Sequence, residues 1–116
     1  MALRQDFSLF TRSNYRITVT VRDVDGNLID LTGAEIRWVL KAPGGAAVWI
    51  SKSTPPGEGI EILDQVMDKG KFRVSIVPAN TERFPSAVAK HEAVLVLAGS
   101  RATVMYGEVT VQKSEV

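Results

Sequence analysis

Tyr15-Arg16-Ile17-Thr18-Val19-Thr20-Val21-Arg22 alternates apolar or aromatic with polar side chains, without a fault, over eight residues. Successive side chains of an extended chain point to opposite faces, so Tyr15, Ile17, Val19 and Val21 share one face and Arg16, Thr18, Thr20 and Arg22 the other. A period of two over this length reads as a half-buried β-strand. The same pattern returns twice. Ile36, Trp38 and Leu40 point one way while Glu35, Arg37 and Lys41 point the other, and Phe72, Val74 and Ile76 alternate with Lys71, Arg73 and Ser75. Val, Ile and Thr supply 30 of the 116 residues. Their branched side chains are stiff at χ1 and pack well on a pleated surface.

Turn formers punctuate these runs. Asp25-Gly26-Asn27 offers the positive φ of a tight turn, and Thr32-Gly33, Pro43-Gly44-Gly45, Asp68-Lys69-Gly70 and Gly99-Ser100 mark others. Val48-Trp49-Ile50 follows the third turn as a partner strand, and Ile60-Glu61-Ile62-Leu63 forms a short one. Ser53-Thr54-Pro55-Pro56-Gly57-Glu58-Gly59 is the longest breaker cluster, a loop that crosses from one sheet to another or passes round an edge. Between Pro78 and Pro85 only one helical turn fits, near residues 79–84. Ala93-Val94-Leu95-Val96-Leu97-Ala98 is apolar on both phases, which predicts a central strand covered on both sides. In the last strand Val104 and Tyr106 keep one phase and Val109 and Val111 the other, so a β-bulge is expected at Gly107. Phe7 and Leu9 alternate with Ser8, as in an edge strand.

The expected fold is all-β: one domain over residues 1–116, an immunoglobulin-like antiparallel β-sandwich of about seven to eight strands with one short helical turn. A small closed barrel is the alternative. The sandwich fits better because the Pro55-Pro56-Gly57 crossover and the turn before Ala89 suit Greek-key connections. Trp38 is expected in the core, on a strand that pairs near Ile17 and Val19.

Composition excludes several function classes. Fourteen Lys and Arg against 13 Asp and Glu leave a net charge of +1, which gives no electrostatic case for nucleic acid or an anionic membrane. Without Cys there are no disulfides, thiolate nucleophiles or Cys-ligated metals. One His cannot build a multi-His metal site. No apolar run approaches the roughly 20 residues that span a bilayer, and MALRQDFSLF lacks the apolar stretch of a signal peptide. A cytoplasmic origin is the default.

The remaining candidates for chemistry are few. His91 is the one side chain whose ordinary titration lies near neutrality. Its neighbour Glu92 points to the opposite face, so the two cannot pair as base and orienter, and His91 reads as a structural or half-exposed strand histidine. The loop from Asp23 to Asp30 carries oxygen ligands, but Gly26 stands fourth from Asp23 and position 34 is Ala, so the calcium-loop spacing fails. No Ser lies in a Gly-x-Ser-x-Gly context. Gly57-Glu58-Gly59 leads into a strand rather than a helix and is no phosphate loop. Arg16, Arg22 and Arg37 read as a solvated sheet face. No catalytic residue, cofactor or metal site is expected.

Across most of the chain the order of motifs resembles small bacteriophage and prophage β-sandwich proteins, including the N-terminal domain of phage baseplate upper proteins. The resemblance rests on Asp30-Leu31-Thr32-Gly33-Ala34, Pro78-Ala79-Asn80-Thr81, His91-Glu92 and the closing Gly107-Glu108-Val109-Thr110-Val111. It implies a non-catalytic structural role in a virion (tail, baseplate or neck) through protein–protein assembly. The chain would be made in the bacterial cytoplasm and then incorporated into the virion. The implied partners are further copies of the chain and other virion proteins, with no nucleic acid, membrane or small-molecule ligand. The alternative function is a carbohydrate- or other ligand-binding sandwich, which would need exposed aromatics in a planar row. Two apolar segments without internal charge are the expected interface: Phe7, Leu9 and Phe10 near the N-terminus, and Val48, Trp49 and Ile50, with Trp49 as the anchor.

Overall fold

The structure, a computed structural model, describes residues 2–45 and 47–114. The described residues form nine strands: β1 (Leu3–Arg4), β2 (Phe7–Phe10), β3 (Tyr15–Thr20), β4 (Glu35–Lys41), β5 (Val48–Ser53), β6 (Ile60–Ile62), β7 (Lys71–Ile76), β8 (Ala87–Leu97) and β9 (Ser100–Gln112). They make two sheets. The large one runs β1-β9-β8-β4-β5, with β2 also on β9, and the small one runs β3-β7-β6. This is the expected immunoglobulin-like sandwich, with the loop after β5 crossing between sheets. The strand count exceeds the expectation because the N-terminal strand is broken into β1 and β2 at Gln5 and Asp6. These two pieces run parallel to β9, while every other ladder is antiparallel. The helical turn is α1 (Pro78–Thr81), and Asn80 Oδ1 closes it by accepting a 2.8 Å bond from the Val77 N–H.

The alternation read from sequence sets which side chains fill the space between the sheets. Ile36, Trp38 and Leu40 of β4 meet Ile17 and Val19 of β3 and Phe72, Val74 and Ile76 of β7 in one buried cluster. Trp38 is fully buried. Its strand pairs with β5 and β8 rather than with β3, so Ile17 and Val19 reach it across the sandwich and not along a ladder. Leu31, in the extended segment before β4, is also fully buried.

Two local expectations are corrected. The phase change in β9 falls at Val104, where the β8–β9 register slips between Ala93 and Val94. Val104 and Met105 are consecutive and both buried, as an extra residue in a bulge allows. Gly107 serves a different purpose: a Cβ there would run into the Gln5 carbonyl and come within 2.7 Å of Asp6 Oδ1. The glycine lets the N-terminal segment approach β9 at the break between β1 and β2. The second correction concerns β8. It is central in its sheet, but only one face is covered. Ala89, His91, Ala93 and Leu95 point inward, while Val94 and Val96 remain half-exposed on the other side.

Trp38→Ala should cost about 3–5 kcal/mol, the usual loss for truncating a fully buried large aromatic. Urea unfolding of the two proteins checks this. A loss below about 1 kcal/mol would contradict the core assignment.

Candidate functional site

The outer face of the large sheet is the side away from the small sheet, and its make-up follows from register. Cross-strand rows run Ser53–Arg37–Val94–Thr103, Ser51–Val39–Glu92–Tyr106 and Glu35–Val96–Arg101 over β5, β4, β8 and β9. Val39, Val94 and Val96 form a valine strip at the centre. Around it lies a shallow groove of about 540 Å³, edged by Arg37, Lys41 and Arg101 on one sign and Glu35 and Glu92 on the other. Thr103 Oγ1 donates a 2.9 Å bond to Glu92 Oε1. Lys41 stands opposite Lys90, and like charges directly opposed on a ladder are unfavourable. Among the described residues Arg37, Lys41, Lys90 and Arg101 take part in no ion pair. The salt bridge on this side of the sheet is at its N-terminal edge, where Arg4 lies 3.3 Å from both Asp6 and Glu108. The face therefore combines apolar side chains on central strands with unpaired cations and no covering layer.

His91 lies on the opposite, inner side of β8 and is buried. Trp38 Nε1–H donates to His91 Nδ1 at 3.1 Å. An indole nitrogen can only donate, so Nδ1 is the acceptor and the imidazole proton sits on Nε2. That Nε2–H donates to the Gln5 carbonyl at 2.5 Å, and the Gln5 N–H in turn donates to the Tyr106 carbonyl at 2.8 Å. Phe7 packs edge-on against the imidazole, with ring centres 5.1 Å apart, and stacks on Tyr15. Burial pushes the His91 pKa below its ordinary value, against the opposing pull of the Gln5 carbonyl and the nearby Asp6 carboxylate. With both nitrogens engaged, His91 ties β4, β8 and the N-terminal segment together. The pairing with Trp38 was missed in sequence reasoning because the two residues are 53 positions apart. A signal was present: both fall on the inward phase of strands that the sheet order makes neighbours.

The six side chains singled out as an interface divide into three groups. Leu9 and Ile50 point inward and are buried, so as side chains they belong to the core and not to a surface. Phe7 and Trp49 are half-buried, Phe7 against His91 and Trp49 stacked on Phe84 at 4.4 Å. Phe10 and Val48 are exposed. Trp49 is thus engaged within its own chain, by a partner on the far side of the sequence. Arg16, Arg22 and Arg37 are not brought onto one face: Arg16 is on the small sheet, Arg37 is on the large one, and Arg22 Nη1 caps the Gly26 carbonyl at 2.9 Å in the turn. Among the described residues no three His, Asp or Glu converge as a metal ligand set, and no helix is long and apolar enough to cross a membrane.

No protein-family model matches the chain, and no curated protein matches it.

The His91 network makes stability depend on pH with a definite sign. The folded pKa lies below the ordinary 6.5, so as pH falls through that value the unfolded chain takes up a proton that the folded chain refuses. Stability is full above it and declines as pH falls toward the folded pKa. The urea midpoint should drop between about pH 7.5 and about pH 5.5 in the wild type, and drop less in His91→Gln. An equal drop in both proteins would contradict this.

Proposed function

We propose that this chain is a non-catalytic structural module of a phage or prophage virion that works by packing against other protein surfaces. The observation that carries the reading is the open face of the large sheet. Valines on central strands are normally covered, and an uncovered apolar strip rimmed by charge marks a protein contact. The titratable group most suited to catalysis, His91, has both nitrogens committed inside the core, which fits a protein without acid–base work to do. The virion context rests on the motif resemblance. A carbohydrate-binding reading has less support, since a sugar platform needs rings laid side by side. Of the aromatic side chains only Phe10 and Tyr106 are exposed, and Tyr106 already carries the Arg4 guanidinium over its ring.

Mass spectrometry of purified particles, from cells in which the gene is expressed with its neighbours, tests the role. The chain should be present at several copies per particle. Particles that assemble and infect without it would contradict the proposal.

A further inference from the structure

The open face has a counterpart elsewhere on the same molecule. The loops over residues 21–33 and 63–70 lie together at one end of the small sheet, since the first follows β3, the second precedes β7, and Thr20 pairs with Lys71. Gln65 binds them to each other. Its Oε1 accepts from the N–H groups of Leu31 and Gly70, both at 2.9 Å, while its Nε2 donates to the Leu63 carbonyl at 2.7 Å. Asp23 Oδ1 accepts from the N–H groups of Asp25 and Asn27, and Asp64 Oδ1 from that of Val66. The loops are therefore preorganised, which lowers the entropy cost of docking.

These loops present large apolar side chains to solvent. Val24 is 82% exposed, Val66 89% and Met67 80%, the three highest values among the exposed large hydrophobics. Around them the same loops hold five carboxylates, Asp23, Asp25, Asp30, Asp64 and Asp68, against two cations, Arg22 and Lys69. Lys71, at the start of β7, reaches Asp68 at 3.9 Å. The groove has the reverse balance, Arg37, Lys41 and Arg101 against Glu35 and Glu92 about a valine strip, and beside it Lys90 stands opposite Lys41 on one strand and Glu108 on the other. The tip is thus acidic and apolar, while the apolar groove carries one cation more than it has carboxylates, none of its cations in an ion pair among the described residues. The tip projects from the small sheet and the groove faces away from it, so one copy cannot bring its own two surfaces together.

We infer that the two surfaces belong to one interface, in which the 63–70 tip of one copy docks in the groove of the next. This rests on the assembly reading above and adds the occupant, a second copy of the chain, and the geometry. Because the two patches differ, the contact is heterologous, and repeated copies build a ring or a filament rather than a two-fold dimer. Val66 and Met67 meet Val39, Val94 and Val96, and the tip carboxylates meet the unpaired cations at the rim. Opposite charges across an interface steer encounter and fix its register, with strong dependence on salt.

Complementation of two variants tests this by light scattering. Arg37→Glu with Arg101→Glu spoils the groove but keeps the tip, and Val66→Ser with Met67→Ser spoils the tip but keeps the groove. All four positions are exposed, and circular dichroism verifies folding. The wild type should grow beyond a dimer as concentration rises, and each variant should self-associate at least about tenfold more weakly. An equal mixture of the two should form a dimer and stop, because only one intact tip–groove pair exists per couple. A wild type that stays monomeric, a variant that assembles like the wild type, or a mixture that stays monomeric overturns the inference. A chain found in particles yet monomeric alone would overturn self-docking and leave the assembly role standing.

Discussion

The hydrogen-bond chain from the Trp38 indole through His91 to the Gln5 carbonyl is the interaction on which the arrangement of the large sheet depends. It joins a side chain of β4, a side chain of β8 and the backbone between β1 and β2, running from the buried Trp38 and His91 out to the part-buried Gln5 carbonyl. Each of these polar groups is costly to bury alone, about 1–3 kcal/mol for an unsatisfied donor or acceptor. Together they satisfy one another. The N-terminal segment is therefore held at the break between its two short strands, where ladder bonds are fewest and where Gly107 leaves room for it. With that segment in place, the Gln5 N–H reaches the Tyr106 carbonyl, Leu9 enters the core and β9 is covered along its outer edge.

Much of this was legible in the sequence because β-sheet alternation is local. Tyr15 to Arg22, Ile36 to Leu40 and Phe72 to Ile76 each declared their inward face from period two alone, and the turns at Gly26, Gly33 and Gly70 fell where the chain needs positive φ. What was not legible is non-local. Residues 93–98 are apolar on both phases, and nothing within them says whether a second layer covers the outer one. The small sheet has only three strands, too few to do more than cover one side. The bulge at Val104 and the close backbone approach at Gly107 ask for the same local irregularity, so the sequence alone does not tell them apart. The interface candidates fared unevenly for a similar reason. Apolar content marked Leu9 and Ile50, but alternation turns those two inward and leaves Phe10 and Val48 outside.

The loop tip carries no such local signal in the sequence. Val66 and Met67 sit in a segment that reads as an ordinary connection, and the bonds of Gln65 and Asp64 hold it beside the 21–33 loop with both side chains outward. Exposed apolar side chains on rigid loops and an uncovered valine strip with opposite charge are two halves of one physical problem: each leaves surface that water solvates poorly. The proposed contact with a second copy would cover both at once.

Zero-length carbodiimide cross-linking on a mixture of isotopically light and heavy chains addresses that claim most directly, since it joins only amines and carboxylates already in contact. The account predicts mixed light–heavy cross-links from Lys41 or Lys90 to Asp64 or Asp68. Inter-copy links confined to other residues, or none between light and heavy chains, would contradict it.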